Sequence, residues 1–373
     1  MQEEFSKEHT STESTVGFPC ESCGSQMVFS PARGKLYCSY CESEKEIDSH
    51  AVEAPEYIFY PDDAQYEAPD WEARGSMTMT CPSCGADTVM GAGTMTATCP
   101  FCGSHYVSDA QPMASVIQPE TVMPFRISRE VAVEHFGAWV KKRWLAPRKF
   151  RRGRHALEPN GIYIPFWTFD AQLSTSYNGY GGRRRTEHYT VRVNGRTQHR
   201  TRTVTDWYPI SGTETLQFDD IPCVASKRID RALLGKLGAY SMKVLHIYNP
   251  AYLAGFLAER YSVGLGEGFA SVRGNMEARM ISHIKARRGY DTYRNMHYHH
   301  NYDTVRFKHI LLPLWLSTYT YHNKVFQLMI NGETGKVAGK SPLSAWKIAL
   351  LVALGILAVG GLILAMLALG GEI

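Results

Sequence analysis

Residues 20–41 read CESCGSQMVFSPARGKLYCSYC, and residues 81–102 read CPSCGADTVMGAGTMTATCPFC. Both follow C-x2-C-x14-C-x2-C, so Cys20, Cys23, Cys38 and Cys41 repeat as Cys81, Cys84, Cys99 and Cys102. Two thiolates at C-x2-C spacing sit on a tight knuckle, and two knuckles joined by a hairpin offer four sulfurs to Zn2+ in tetrahedral array. The pattern therefore predicts two zinc ribbons, at 18–42 and 77–108. Gly24, Gly85 and Gly103 follow their knuckles where a positive φ is favoured, and Gly34 and Gly91-Ala92-Gly93 mark the hairpin turns. Four protein ligands leave no open coordination position, so both metals are expected to be structural staples and not hydrolytic centres. A disulfide framework is the alternative. No N-terminal secretory core precedes the ribbons, so a reducing cytosol is expected instead. Cys223 is left over and reads as an ordinary core thiol.

Around the ribbons the charge is lopsided. Residues 1–112 hold 5 Lys/Arg against 18 Asp/Glu, a balance of −13, and the rest of the 373-residue chain holds 35 against 18, or +17. A content of 44% hydrophobic and 20% charged residues excludes a wholly disordered chain. Two metals, each bound by four thiolates, would take the acidic part to about −17. Such a module repels phosphate backbones, which points the ribbons toward protein partners. Residues 1–17 read as a disordered tail and 43–76 as an acidic linker.

At the other end, residues 348–369 read IALLVALGILAVGGLILAMLAL without a charge. At 1.5 Å per residue they span about 33 Å, enough to cross a bilayer core, and a transmembrane helix is expected at 346–370. Lys336, Lys340 and Lys347 precede it, Trp346 lies at its start and Glu372 follows. The positive-inside rule then places the bulk of the chain in the cytoplasm, tail-anchored in the cell membrane by a single pass.

Between these ends, 117–342 reads as a basic α+β body of helices mixed with antiparallel hairpins. Arg129–Leu145 predicts a helix, with Val131, Val133, Phe136, Trp139, Val140 and Trp144 at mostly helical spacing. Helical patterns recur near Lys227–Leu237, Ala251–Tyr261 and Asn275–Arg287. Tyr163–Phe169, Leu311–Tyr321 and Lys324–Ile330 read as strands, and alternation around Asn194-Gly195 predicts a hairpin. Ile162-Tyr-Ile-Pro-Phe-Trp and Ile310-Leu-Leu-Pro-Leu-Trp, 148 residues apart, form a weak repeat that an internal duplication or chance would explain.

Basic residues cluster twice, at Lys141, Lys142, Arg143, Arg148, Lys149, Arg151, Arg152 and Arg154, and at Arg183, Arg184, Arg185, Arg192, Arg196, Arg200 and Arg202. Anionic lipid, nucleic acid, or the acidic ribbons themselves are the candidate ligands. Catalytic patterns are absent. Gly335-Lys-Val-Ala-Gly-Lys-Ser has three residues where a phosphate loop needs four, and no Asp-Glu dipeptide occurs to build a DExx box. His297, His299, His300 and His309 offer a weak metal-site candidate, and no hydrolase signature is present. The chain is expected not to be an enzyme.

The paired ribbons, Tyr163-Ile-Pro-Phe-Trp-Thr-Phe-Asp, Ala251-Tyr-Leu-Ala-Gly-Phe-Leu-Ala-Glu-Arg-Tyr, Leu312-Pro-Leu-Trp and Asn331-Gly-Glu-Thr-Gly-Lys-Val together resemble one bacterial family. Its members are membrane-anchored, transcription factor IIB-type zinc-ribbon proteins, often named primosomal protein N' (replication factor Y) superfamily II helicase. The resemblance implies bound zinc and a place beside partners in membrane-stress systems. The expected function is a membrane-anchored zinc-ribbon adaptor or scaffold that recruits protein partners. The alternative is a nucleic-acid-associated protein without helicase motors.

Overall fold

The structure, a computed structural model, describes residues 18–48, 55–59, 77–90, 96–102, 104–107, 111–112, 117–152, 159–193, 196–321 and 324–369. The expected tail at 1–17, much of the linker, the turns at 91–93 and 194–195, Gly103, Arg154 and the last span residue, 370, lie outside them.

The first ribbon is a three-stranded antiparallel sheet of β1 (Val28–Ser30), β2 (Lys35–Tyr37) and β3 (Glu44–Lys45). The segment read as a linker then contributes a strand, β4 (Tyr57–Phe59), to the body. The second ribbon holds β5 (Met77–Thr80), β6 (Asp87–Met90), β7 (Thr96–Thr98) and β8 (His105–Val107), and β9 (Gln111–Pro112) pairs with β5.

The body begins with β10 (Thr121–Val122), α1 (Arg129–Lys141), α2 (Arg148–Arg152) and two long strands, β11 (Asn160–Val193) and β12 (Arg196–Val224). After α3 (Arg231–Lys236) and β13 (His246–Ile247) comes a 3-10 turn at Pro250–Leu253, then β14 (Leu257–Glu259) and α4 (Leu265–Arg288). A third long strand, β15 (Thr292–Tyr321), is followed by β16 (Lys324–Asn331), β17 (Val337–Gly339) and α5 (Ala345–Leu369). Among the described residues twelve strands join one sheet, and the α+β expectation holds with strand predominating.

The helix expected at Ala251–Tyr261 is a correction. Pro250 opens the 3-10 turn, Gly255 reverses the chain at φ +84° with Val28 close above it, and Leu257–Ala258 enter the sheet parallel to Ile162–Tyr163. On α1 the buried residues are Ala132, Phe136, Trp139 and Val140, whereas Val131 and Val133 are exposed. Val131 and Val133 stand about 200° apart around the helix and cannot both face the core; Val133 lies at the margin of the buried stripe.

The apolar run at Ile162–Trp167 is buried on both sides because both faces of the sheet are covered. Strand alternation sends Tyr163, Leu311, Trp315, Leu328 and Ile330 to one face, packed with α1 and the first ribbon. It sends Ile162, Ile164, Leu312, Leu314, Leu316 and Met329 to the other, packed with α3 and the second ribbon. The two ribbons thus cover opposite faces of one sheet.

The two Pro-x-Trp segments are neighbours, with Ile162 opposite Leu314 and Phe166 opposite Ile310. Each tryptophan donates to a carbonyl just ahead of a helix cap: Trp167 Nε1 to Val263 O (2.9 Å) before α4, and Trp315 Nε1 to Ile127 O (2.9 Å) before α1.

Away from this head, β12, β11 and β15 run on side by side as an arm, with α4 packed along its first part through Phe269, Val272, Met276, Met280 and Ile284. β15 reaches only Thr292, opposite Gly182. Beyond it β11 and β12 continue as a two-stranded ribbon, from the pair Arg183 and Asp206 to the pair Val193 and Arg196. At about 3.4 Å per residue that ribbon extends about 35 Å past its last supporting strand.

Candidate metal centres and charged surfaces

Each four-cysteine cluster is assembled by backbone turns before any metal is considered. In the first, Gly24 N–H donates to Cys20 O (2.8 Å) and Glu42 N–H to Cys38 O (2.9 Å). In the second, Gly85 N–H donates to Cys81 O (2.6 Å) and Cys99 N–H to Ser104 O (2.8 Å). Gly24 (φ +74°) and Gly85 (φ +66°) take the left-handed conformation expected of them, and Glu42 takes it at φ +62° without being glycine.

The sulfurs converge. Cys20 and Cys41 Sγ lie 3.4 Å apart, Cys23 and Cys38 3.5 Å, Cys81 and Cys102 3.7 Å, and Cys84 and Cys99 3.6 Å, and within each cluster all four sulfurs lie within 4.8 Å of one another. A disulfide would need about 2.05 Å. Four sulfurs at about 2.3 Å from one centre stand about 3.8 Å apart, which these separations approach. The donor set and its geometry fit one tetrahedral ion of the zinc type in each cluster.

One serine per cluster was not singled out from sequence. Ser43 Oγ lies 2.9 Å from Cys20 Sγ and 3.1 Å from Cys41 Sγ, and Ser104 Oγ lies 3.4 Å from Cys81 Sγ and 3.0 Å from Cys102 Sγ. The signal was present, since each serine follows its last cysteine at the same offset. The Ser43 hydroxyl, with backbone N–H groups, brings the Cys20 thiol down to about 6 against a smaller opposing effect of desolvation. At Cys81 burial works against ionisation, yet Ser104 and the knuckle amides also bring it down to about 6. Cys41 is lowered as well, whereas Cys23 moves up to about 11 and burial raises Cys84 and Cys99, so without a metal each cluster favours only part of its thiols as thiolates.

The ribbons are fixed to the body differently. Phe29 of the first packs on Tyr252 and Phe256 at centroid distances of 5.3 and 6.2 Å, and its N–H donates to Ala254 O (2.9 Å). The second adds β6 to the body sheet, with Val89 opposite Ala258 and Thr88 opposite Glu259. Arg228 donates to the carbonyls of Cys84 and Gly85, and buried Glu259 accepts from Ser226 Oγ at 2.7 Å.

Other candidates do not assemble. His309 is buried, with Nδ1 2.9 Å from Ile117 O, while His300 pairs with Thr175, so the four histidines form no ligand set. Asp170, Asp219 and Asp220 converge, but the group already holds a cation of the chain's own, with Lys308 Nζ 2.9 Å from Asp220 and 3.1 Å from Glu56. Gly335–Ser341 contains β17, which pairs with β16 and forms no phosphate cradle. Cys223 is buried beside Ser271, and burial raises its thiol.

The two basic clusters lie far apart. Lys141, Lys142, Arg143, Arg148 and Arg151 surround the end of α1 and α2, and Arg152 ends α2. Arg183, Arg184 and Arg185 open the two-stranded ribbon at the far end of the arm. There Arg185 pairs with Asp206 (2.8 Å) and Arg202 with Glu187 (2.7 Å), while residues 188–205 contain no Asp or Glu. α5 is long and apolar enough to cross a membrane, and none of its span Ala345–Leu362 is buried.

Fold and site together define a protein with two four-cysteine clusters that could each hold a metal ion, a β arm and one candidate membrane span. The chain belongs to the family of the uncharacterized protein YdjG of Bacillus subtilis (strain 168), which is 31% identical over 342 residues, 90% of this chain and 92% of that protein. No family model and no solved structure matches the chain. The primosomal and helicase vocabulary attached to the resemblance gains no support from these comparisons.

Proposed function

We propose that the protein is a membrane-anchored adaptor facing the cytoplasm, with zinc in both four-cysteine clusters as a folding element and the arm as the surface that engages protein partners. One observation carries this reading. Beyond Gly182 the arm is a two-stranded ribbon with both edges open among the described residues. An isolated two-stranded hairpin is marginal by itself, and open edges accept an added strand from a partner. The ribbons, each packed on one face of the head, act in this reading as folding elements more than as free recruiting modules. The cytoplasmic orientation rests on Lys336, Lys340 and Lys347 ahead of α5. The reciprocal tryptophan bonds to the residues before α1 and α4 support an origin of the body by duplication. No reaction is proposed.

A nucleic-acid-associated protein is the second reading, favoured by one feature: the outer part of the ribbon, 188–205, which lacks Asp and Glu and exposes Arg192, Arg196 and Arg200. A two-stranded ribbon of that charge fits a DNA major groove. The two separate on purification of the full chain from mildly crosslinked native membranes, with and without nuclease. A second preparation has Arg184–Thr205 replaced by an Asn-Gly turn. The adaptor requires protein partners that survive nuclease and disappear with the arm. Partners lost to nuclease instead would establish the second reading.

A further inference from the structure

Residues 141–152, KKRWLAPRKFRR, carry seven cationic side chains in twelve positions and no carboxylate. The segment is fastened to the body, since Ala146 and Phe150 are buried in the same core as α1 and Leu145 is half-buried. Its charges point outward: Lys141, Lys142, Arg143, Arg148 and Lys149 are exposed. Among the described residues no carboxylate pairs with any of them, and Arg143 lies over the Trp139 ring at 4.4 Å.

The same segment is stapled to the start of α5. Lys347 Nζ donates to Trp144 O (2.6 Å) and Ala146 O (2.8 Å), and Ser344 N–H donates to Leu145 O (3.0 Å). Two tryptophans flank this joint in the open, Trp144 at 56% and Trp346 at 59% exposure. A helix whose uncharged run begins at Ile348 carries its first turn at the level of the lipid headgroups, where tryptophan and lysine are favoured. Residues that hydrogen-bond to that turn share its level.

We infer that this foot is a binding surface for anionic phospholipid headgroups, with Lys141, Lys142, Arg143, Arg148 and Lys149 supplying the charge and Trp144 and Trp346 seating at the interface. The inference rests on the membrane-anchored part of the proposed function. It also separates the two basic clusters by role. β17 carries the chain away from the arm tip before α5 begins, because it is antiparallel to β16 and β16 is antiparallel to β15. The arm arginines are therefore directed away from the leaflet that the foot contacts.

The test uses the full chain in mixed detergent and lipid micelles containing equal phosphatidylglycerol and phosphatidylcholine, with native mass spectrometry to count the lipids retained. Wild type is expected to retain phosphatidylglycerol preferentially, and raised salt is expected to weaken the preference. Each well-placed cation adds about fivefold to anionic-lipid affinity, so Lys142→Gln/Arg148→Gln/Lys149→Gln together should reduce the preference by up to about a hundredfold. Arg184→Gln/Arg192→Gln/Arg196→Gln on the arm should leave it unchanged. Added inorganic phosphate should not compete with lipid; displacement by millimolar phosphate would mean a free-anion site and overturn the assignment. A foot variant that keeps the preference, or an arm variant that loses it, also overturns it. Thermal unfolding identical to wild type confirms that the foot variant folds. Resistance of the full chain to alkaline carbonate extraction tests the anchor separately, so loss of the anchor and loss of headgroup selectivity cannot be confused.

Discussion

The two four-cysteine ribbons share one spacing, one knuckle geometry and one serine per cluster, and yet are built into the molecule by different forces. The first keeps its own three-stranded sheet and is held by aromatic packing of Phe29 on Tyr252 and Phe256. The second gives a strand pair to the body sheet and is clamped by Arg228 at its knuckle carbonyls. Exposure follows the same division, with Cys23 and Cys41 exposed in the first ribbon and Cys84 and Cys102 half-buried in the second. Cysteine spacing dictates how a ribbon folds and leaves open whether it becomes a satellite of the body or part of its main sheet.

The sharpest way to test that difference is to remove one ligand from each cluster. Structural zinc contributes on the order of 10 kcal/mol to a site of this kind, so Cys38→Ser and Cys99→Ser should each lower metal content from two ions to one. The Cys99→Ser variant should also lose hydrogen-exchange protection at Leu257–Glu259, because that strand is paired to β6. Equal loss of protection in both variants would erase the distinction. Phe29→Ala, which deletes a side chain only 3% exposed, should cost about 3–5 kcal/mol and loosen the first ribbon while both metals remain bound. Arg228→Ala should cost about 1–3 kcal/mol by stranding the Cys84 and Gly85 carbonyls, with faster chelator extraction of the second metal and unchanged extraction of the first.

The smallest effect is expected at Glu259, the buried carboxyl under the second ribbon. Burial pushes it up to about 8 from an ordinary 4.5, against the hydrogen bond from Ser226. A carboxyl whose folded value is raised adds stability in full below about 4.5, and that stability declines as pH rises and is gone once pH passes about 8. Urea midpoints at pH 6 and pH 8.5 should therefore fall for wild type and fall less for Glu259→Gln. Parallel curves would mean that the carboxyl does not couple to folding.

The two four-cysteine clusters were fully legible because a metal site demands fixed residue types at fixed spacing. The candidate span was equally plain, since an uncharged run of 22 residues predicts one long apolar helix, and α5 is that helix. The arm was legible only at its tip. Alternation around Asn194-Gly195 signalled a hairpin, but nothing local told Asn160 and Val224 that they bound the same pair of strands. α4 was expected near Asn275–Arg287 and begins at Leu265, where Gly266 and Gly268 weaken the helical pattern in its first turn. Gly268 instead lets the helix approach Trp167, whose indole would lie 2.8 Å from any Cβ placed there. The docking of the ribbons was not legible at all, because Arg228 and Glu259 act on partners more than 140 and 170 positions away in the chain.

The length of the arm sets the electrical independence of its two ends. From Asn160 to Val193 the strand covers roughly 100 Å, while mobile ions at physiological strength damp a charge within about 8 Å. The two ends of that strand are therefore more than ten screening lengths apart. In the proposed arrangement, lipid charge at the foot would leave the potential at the tip where it was. In that arrangement any influence of a bilayer on a partner at the tip would travel as mechanical strain along the arm, through three paired strands as far as Gly182 and two beyond it.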